Sequence, residues 1–408
     1  MKYAVLICDG AADWPIESLG NKTIFEVADT KSMDWIASHG KMGTLQTVPK
    51  GMHPGSEVGN MSIMGYRPEK DLTGRGALEA LSANVPLNST DIAFRCNLIN
   101  IDKGLIKDYS SGHISTEEAR PLIEMLQSQL KDEGVDFFPG VQYRHILRLD
   151  GNKFSENLVL TPPHDQLDKN YRNFLAKAKN SDDEKAKMTA NYLNELIETS
   201  NKYLIGHEIN KKRLNNGKLM ATHVWPWGGG KKPNIESFKS KFGLKGAVIS
   251  AVDLIFGIGI AAGLKAIRVK GATGLPDTNY KGKVEAALKF LKNNDYIYLH
   301  VEAADEMSHA GDIKRKISAV QDFDDLIVNS FIEAQKDFND ELVIAVLPDH
   351  PTPCKIRTHC GDPVPFAIYN PTQPFKSEKL RKFSEISGRE GEYGHVPNGE
   401  QFMQILLS

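Results

Sequence analysis

Tyr296-Ile297-Tyr298-Leu299-His300-Val301 is a continuous, mostly apolar run, and Asp305-Glu306-Met307-Ser308-His309 follows it almost at once. A run of this length and composition reads as a strand covered on both faces. Ile313 to Lys336 then reads as a long helix. Leu342 to Leu347 reads as a second buried strand, ending at Pro348-Asp349-His350-Pro351. A strand, a helix and a strand in succession imply parallel neighbours in one sheet. In such sheets the active site gathers at the carboxyl ends of the strands. Two polar clusters that are distant in sequence are therefore expected to meet.

The same grammar extends outward. Val364 to Tyr369 reads as a further strand. Upstream, Ala247 to Val252 and Ala266 to Val269 read as strands, the first followed by a helix, with a helix over Lys283 to Lys292. At the amino end, Tyr3 to Cys8 is a buried strand. Ser32 is placed to cap a helix over Met33 to Ser38 that stops at Gly40, and Gly43 to Val48 reads as another strand. The middle breaks the pattern. Strand signals scatter between residues 90 and 230, a charged helical stretch runs from Leu167 to Ser200, and the run Asn180 to Lys187 reads as a solvated surface. The expected architecture is α/β, a mostly parallel sheet with helices on both faces, formed by residues 1–88 and 232–408. A smaller α+β domain, residues 89–231, is inserted into it.

The chain has 408 residues, which at roughly 150 per domain allows two or three domains. A net charge of −2 excludes nucleic-acid binding through bulk electrostatics. The four cysteines, Cys8, Cys96, Cys354 and Cys360, have no regular spacing and fit a reducing cytoplasm. The apolar run Ala4 to Cys8 is too short for a signal peptide and meets Asp9 directly. The most membrane-like stretch, Ala247 to Leu264, carries Asp253 and falls short of the ~20 apolar residues of a span, so no membrane partner is expected.

Beyond the two clusters above, two further segments carry candidate chemistry. Cys8-Asp9-Gly10 places a carboxylate at the end of a buried strand. Pro54-Gly55-Ser56-Glu57-Val58-Gly59-Asn60 places a serine between glycines where a helix starts, and a helix N-terminus favours negative charge on the serine oxygen and on phosphate. Asp305 and His309 are four apart, on one face of a helical turn. Asp349 and His350 are adjacent, and His359 in Thr358-His359-Cys360 precedes the next strand. Singly, each is as compatible with a cap, a turn or a polar loop. Together they supply three Asp, three His and one Ser, and carboxylates with imidazoles suit manganese, magnesium or zinc. Cys354 and Cys360 are read as packing cysteines. The chain has no Gly-x-x-x-x-Gly-Lys phosphate loop.

This constellation resembles the alkaline phosphatase superfamily and, within it, the cofactor-independent phosphoglycerate mutases of the archaeal-type branch. Gly55-Ser56-Glu57-Val58-Gly59 resembles the family's nucleophile motif. Thr73-Gly74-Arg75-Gly76, Ala93-Phe94-Arg95-Cys96-Asn97, Gly271-Ala272-Thr273-Gly274 and Asp277-Thr278-Asn279-Tyr280 are similar to other stretches of the branch. The resemblance implies two divalent ions, one held by Asp9, Ser56, Asp349 and His350, the other by Asp305, His309 and His359. It implies Ser56 as nucleophile and His113 as a phosphate-facing residue. Arg95, Arg144, Arg148, Lys231 and Lys232 are candidates for a substrate carboxylate. The implied reaction interconverts 3-phosphoglycerate and 2-phosphoglycerate through a phosphoserine. Asp108-Tyr109-Ser110-Ser111-Gly112-His113-Ile114-Ser115 is also similar to a bacterial subgroup proposed to act as homoserine kinases. A kinase or phosphomonoesterase on the same two-metal site therefore stays open, as does the oligomeric state.

Overall fold

The computed structural model describes residues 1–408 except Lys131, Asp340 and Lys379. The chain divides into two compact units, Met1–Leu72 with Ile235–Ser408, and Thr73–Asn234.

The first unit is built on an eight-stranded sheet. Its spatial order is Lys265–Arg268, Gly246–Ser250, Tyr296–Val301, Lys2–Cys8, Leu342–Leu347, Val364–Tyr369, Lys41–Leu45 and Gly394–Val396. The first five strands run parallel. Val364–Tyr369 is antiparallel to both its neighbours. The sheet is thus mostly parallel, as the alternation of elements implied. Every residue of Tyr296–Val301 and Leu342–Leu347 is buried. Each fully buried aliphatic side chain there contributes about 1.5–3 kcal/mol. Register then fixes the site. Cys8 pairs with Val301 and Ile7 with Leu347, so three central strands end level with one another. Asp9, the helix Ala303–Ala310 and Asp349 all emerge at that edge.

Three expectations about helices are corrected. The helix Lys31–His39 is not capped by Ser32. Its N-cap is Thr30, which makes no side-chain cap bond. Asp324 takes that role from far along the chain, accepting from Ser32 N at 3.0 Å and Met33 N at 2.6 Å. Asp324 lies where the helix begun at Ile313 opens into a π turn, Asp324–Val328, so the long helix is not uniform. The charged stretch Leu167 to Ser200 is not one helix either. Its first part forms a short 3₁₀ turn, Tyr171–Phe174, and a strand, Lys177–Ala178. The helix proper, Glu184–Leu204, starts where Asp183 caps Ala186 N.

The second unit carries a five-stranded antiparallel sheet centred on Ile92–Asp102, which pairs with Leu105–Asp108, Arg144–Leu149 and His223–Lys231. Val135–Val141 lies beyond Arg144–Leu149. Helices Thr116–Leu130 and Glu184–Leu204 bury Leu122, Leu126, Leu193 and Leu196 in a core with Phe94, Leu98 and Leu147. The pattern had set the junctions at 88/89 and 231/232, but this unit opens at Thr73. The reason is the helix Arg75–Ser82, which packs on Ile92–Asp102 so closely that a Cβ on Gly76 would lie 2.5 Å from Ala93 O.

Candidate active site

The centre is built from loops at the level strand ends of the first unit. Asp9 leaves the sheet and Gly10 turns the chain in the left-handed region, φ +62°. Ser56 is the first residue of the helix Ser56–Ile63, after Gly55 in extended conformation. That helix can approach the Asp349 loop because residue 59 is glycine: a Cβ there would lie 2.5 Å from Asp349 O. The segment Gly55 to Gly59 is therefore a packing device as well as a turn.

Seven side chains singled out in the sequence converge. His350 Nε2 lies 3.2 Å from Ser56 Oγ, 3.5 Å from Asp9 Oδ1 and 3.3 Å from Asp349 Oδ2. His309 Nε2 is 3.1 Å from Asp305 Oδ2 and 3.1 Å from His359 Nε2. His359 Nε2 is 3.6 Å from Asp305 Oδ1. Asp305, His309 and His359 offer atoms within 4.8 Å of one another, as do Asp9, Asp305 and His350, so the two groups adjoin. Asp9, Asp305, Asp349 and His350 are buried, whereas Ser56, His309 and His359 are partly open.

The hydrogen bonds around these groups fix their orientation. Thr352 Oγ1 donates to Asp305 Oδ1 at 2.6 Å and lies 3.1 Å from His350 Nδ1, which places the His350 proton on Nδ1 and the lone pair on Nε2. Arg357 O accepts from His309 Nδ1 at 3.0 Å, so Nδ1 keeps its proton and Nε2, which donates to Asp305, is the nitrogen an ion would take over. Asn60 donates to Asp349 Oδ2 at 2.7 Å and to Ser56 O at 2.8 Å, and accepts from Tyr298 Oη at 2.6 Å. Behind the loops, the buried Lys316 donates to Ala12 O, Asp13 Oδ2 and Thr352 O.

Electrostatics match a cation site. Burial, then the neighbouring Asp349 and Asp305, push the Asp9 carboxyl well above its usual range. Asp305 is held well below it: burial opposes ionisation, but hydrogen bonds from His309 and His359 prevail. His309 is raised to about 9 by its bond to Asp305, and burial lowers His350. Asp9 Oδ1 is buried with no hydrogen-bond partner. Carboxylate oxygens and imidazole nitrogens around such an atom fit divalent manganese, magnesium or zinc.

The remaining candidates lie in the second unit. Arg95 is buried, with Nε 3.2 Å from Glu79 Oε2 and its guanidinium 4.6 Å from the Trp227 ring centroid. Arg75 shares Glu79, at 2.8 Å, and the same ring, at 5.9 Å. Burial lowers His164, which Asp165 raises and the charges of Arg95 and Arg75 lower, and its ring lies 5.4 Å from that of Trp227. Arg144 lies over Tyr143. Arg148 is committed elsewhere, to Asp136 at 2.6 Å and Pro86 O, and Lys231 pairs with Glu156 at 2.7 Å. Lys232 is exposed. His113 is exposed in a turn where Ser111, Gly112 and His113 all have positive φ, wound around Asp108. All four cysteines are free, and Cys360 Sγ bonds Asp362.

Sequence reading missed Asn60, Lys316 and Thr352, which hold the loops and ligands of this centre. Asn60 lay inside a motif already quoted, but its partners Asp349 and Tyr298 are remote. No helix among the described residues is long and apolar enough to cross a membrane.

Comparison with known proteins gives the family. A family model described as 2,3-bisphosphoglycerate-independent phosphoglycerate mutase matches residues 37–210. The protein of that name from Methanosarcina mazei is 47% identical over 396 residues, covering 97% of each chain. Its counterpart from Methanothrix thermoacetophila is 43% identical over the whole of both chains. Among solved structures, a protein from Pyrococcus horikoshii superposes with a TM-score of 0.80 at 27% identity, covering 100% of this chain and 96% of that one. The cofactor-independent phosphoglycerate mutase from Thermoplasma acidophilum shares the fold, with a TM-score of 0.65 at 24% identity over 100% and 99% of the two chains. The chain belongs to the 2,3-bisphosphoglycerate-independent phosphoglycerate mutases, a family of isomerases.

Proposed function

We propose that this protein interconverts 3-phosphoglycerate and 2-phosphoglycerate through a phosphoserine on Ser56, with two divalent ions, in the cytoplasm. The observation that carries the reading is Ser56 Oγ at a helix start, 3.2 Å from His350 Nε2, among buried carboxylates and imidazoles. We assign Asp9, Ser56, Asp349 and His350 to one ion and Asp305, His309 and His359 to the other. Bound there, the ions neutralise phosphoryl charge and lower the pKa of a hydroxyl.

The chain's own residues do the rest. Ser56 Oγ attacks phosphorus in line as the bond to the substrate oxygen breaks. Its proton goes to the departing hydroxyl, and the second half of the cycle runs this exchange in reverse at the other hydroxyl, so no external acid or base is consumed. The partial positive charge of the helix Ser56–Ile63 N-terminus favours the phosphorylated state. Glycerate must stay bound between the halves, and its carboxylate calls for cations.

The test is one metal-loaded sample assayed in parallel for mutase activity without added bisphosphoglycerate, for phosphate release, and for ATP consumption with homoserine. Mutase activity with little free phosphate is expected. Turnover of homoserine and ATP alone makes the protein a kinase, and dominant phosphate release makes it a phosphatase. Mass spectrometry should find the phosphoryl adduct on Ser56, and Ser56→Ala should fold yet lose both adduct and turnover.

A further inference from the structure

We propose that His300 is a positioning residue of the metal centre, holding Asp9 in place for its ion; this rests on the two-ion reading above. His300 is fully buried in the strand Tyr296–Val301 and sits opposite Ile7 in the adjoining strand, two residues from Asp9. Its Nε2 lies 2.9 Å from Asp9 Oδ2. Asp9, His300 and Asp349 offer atoms within 4.8 Å of one another, all buried.

The ring is held from behind. Ser250 Oγ lies 3.1 Å from His300 Nδ1 and already accepts from Val252 N at 3.0 Å, so its hydroxyl hydrogen is available to Nδ1. The His300 carbonyl accepts from the buried Lys283 Nζ at 3.1 Å. This anchoring places the ring proton on Nε2, facing Asp9. Yet His300 Nε2 and Asp9 Oδ1 both lack a well-aligned hydrogen bond. Two unsatisfied buried atoms side by side are costly and call for a third group. A cation taken up by Asp9 satisfies Oδ1, and a small turn of the carboxylate about it lets Oδ2, 2.9 Å from His300 Nε2, accept the ring proton.

Four of the other ligands have such holders: Thr352 for His350 and Asp305, Arg357 O for His309, Asn60 for Asp349. For Asp9 that place falls to His300. Partners of this kind fix the orientation of a ligand, and their loss costs about 10–100-fold in metal affinity.

The experiment titrates metal-stripped protein with Mn²⁺ by calorimetry, with circular dichroism as a check on folding. Wild type should take up two ions. His300→Phe and His300→Asn, whose amide is too short to reach Asp9, should each weaken one ion by about 10–100-fold and leave the other unchanged. His300→Gln, whose amide can reach, should restore most of the affinity. Should His300→Phe fail to fold, the Asn and Gln pair decides alone. Wild-type affinities for both ions in His300→Asn overturn the proposal. A wild-type protein that takes up no Mn²⁺ overturns the two-ion reading and this one with it.

Discussion

Gly10 and Asp305 leave no room between them: a Cβ on Gly10 would lie 2.2 Å from Asp305 Oδ1 and 2.7 Å from Thr352 Oγ1. The glycine also has φ +62°, where an L side chain adds about 1–2 kcal/mol of strain. Gly10→Ala should therefore lower stability by at least that much and displace Asp305 from His309 and His359. Thermal unfolding and Mn²⁺ titration of the variant check this. Unchanged affinity for both ions would show that the loop has slack.

Asn60 links the nucleophile helix, the Asp349 loop and the strand bearing Tyr298 through three hydrogen bonds. Asn60→Ala leaves Asp349 Oδ2 and Tyr298 Oη buried and unpaired, at about 1–3 kcal/mol for each group. We expect a lower midpoint in urea, and a larger fall in activity than in Mn²⁺ uptake, because Ser56 shifts with its helix. A variant with normal stability and turnover would reduce Asn60 to a filler.

The site was legible in the sequence to the extent that strand ends were. Asp9, Asp305 and Asp349 each follow a buried apolar run closely, and parallel pairing brings such ends level. The supporting residues were not legible, for a physical reason. Thr352 reaches Asp305 across 47 residues, Asn60 reaches Tyr298 across 238 and Lys316 reaches Asp13 across 303, and hydrophobic periodicity carries no information about those contacts. The missed cap on the helix Lys31–His39 has the same origin: a local Ser32 lost to Asp324, which arrives from 292 residues along the chain. In the second unit, surface-type cations gave no sign of which were free. Arg148, Lys231 and Arg95 all proved ion-paired, and Arg95 also stacks on Trp227.

Lys316 and Asp13 are both buried and 2.9 Å apart, and Cys354 N also donates to Asp13 Oδ2. Removing one partner of such a pair leaves an uncompensated charge, at about 3–5 kcal/mol. Lys316→Met should be strongly destabilised, and Lys316→Met with Asp13→Asn should recover much of the loss. Equal stability of the single and double variants in chemical denaturation would exclude this coupling.

The metal-free centre holds protons that an ion must expel. His309 is raised to about 9 by Asp305, and Asp305 also raises His359 against the effect of burial. Because the folded value lies above the usual 6.5, the Asp305–His309 pair stabilises the metal-free fold fully below pH 6.5. That contribution fades as pH rises through about 9. Binding runs the other way, since a ligating imidazole must be neutral. Mn²⁺ affinity at Asp305, His309 and His359 should then climb about tenfold per pH unit for each proton displaced, and level off above about pH 9. Calorimetric titrations at pH 7 in two buffers of different ionisation enthalpy measure the protons released. We expect at least one at pH 7, less above pH 9, and a loss of the pH 7 release in His309→Gln. Binding at pH 7 with no proton released would mean that His309 is neutral before the ion arrives, and that its contact with Asp305 is not the charged pair described here.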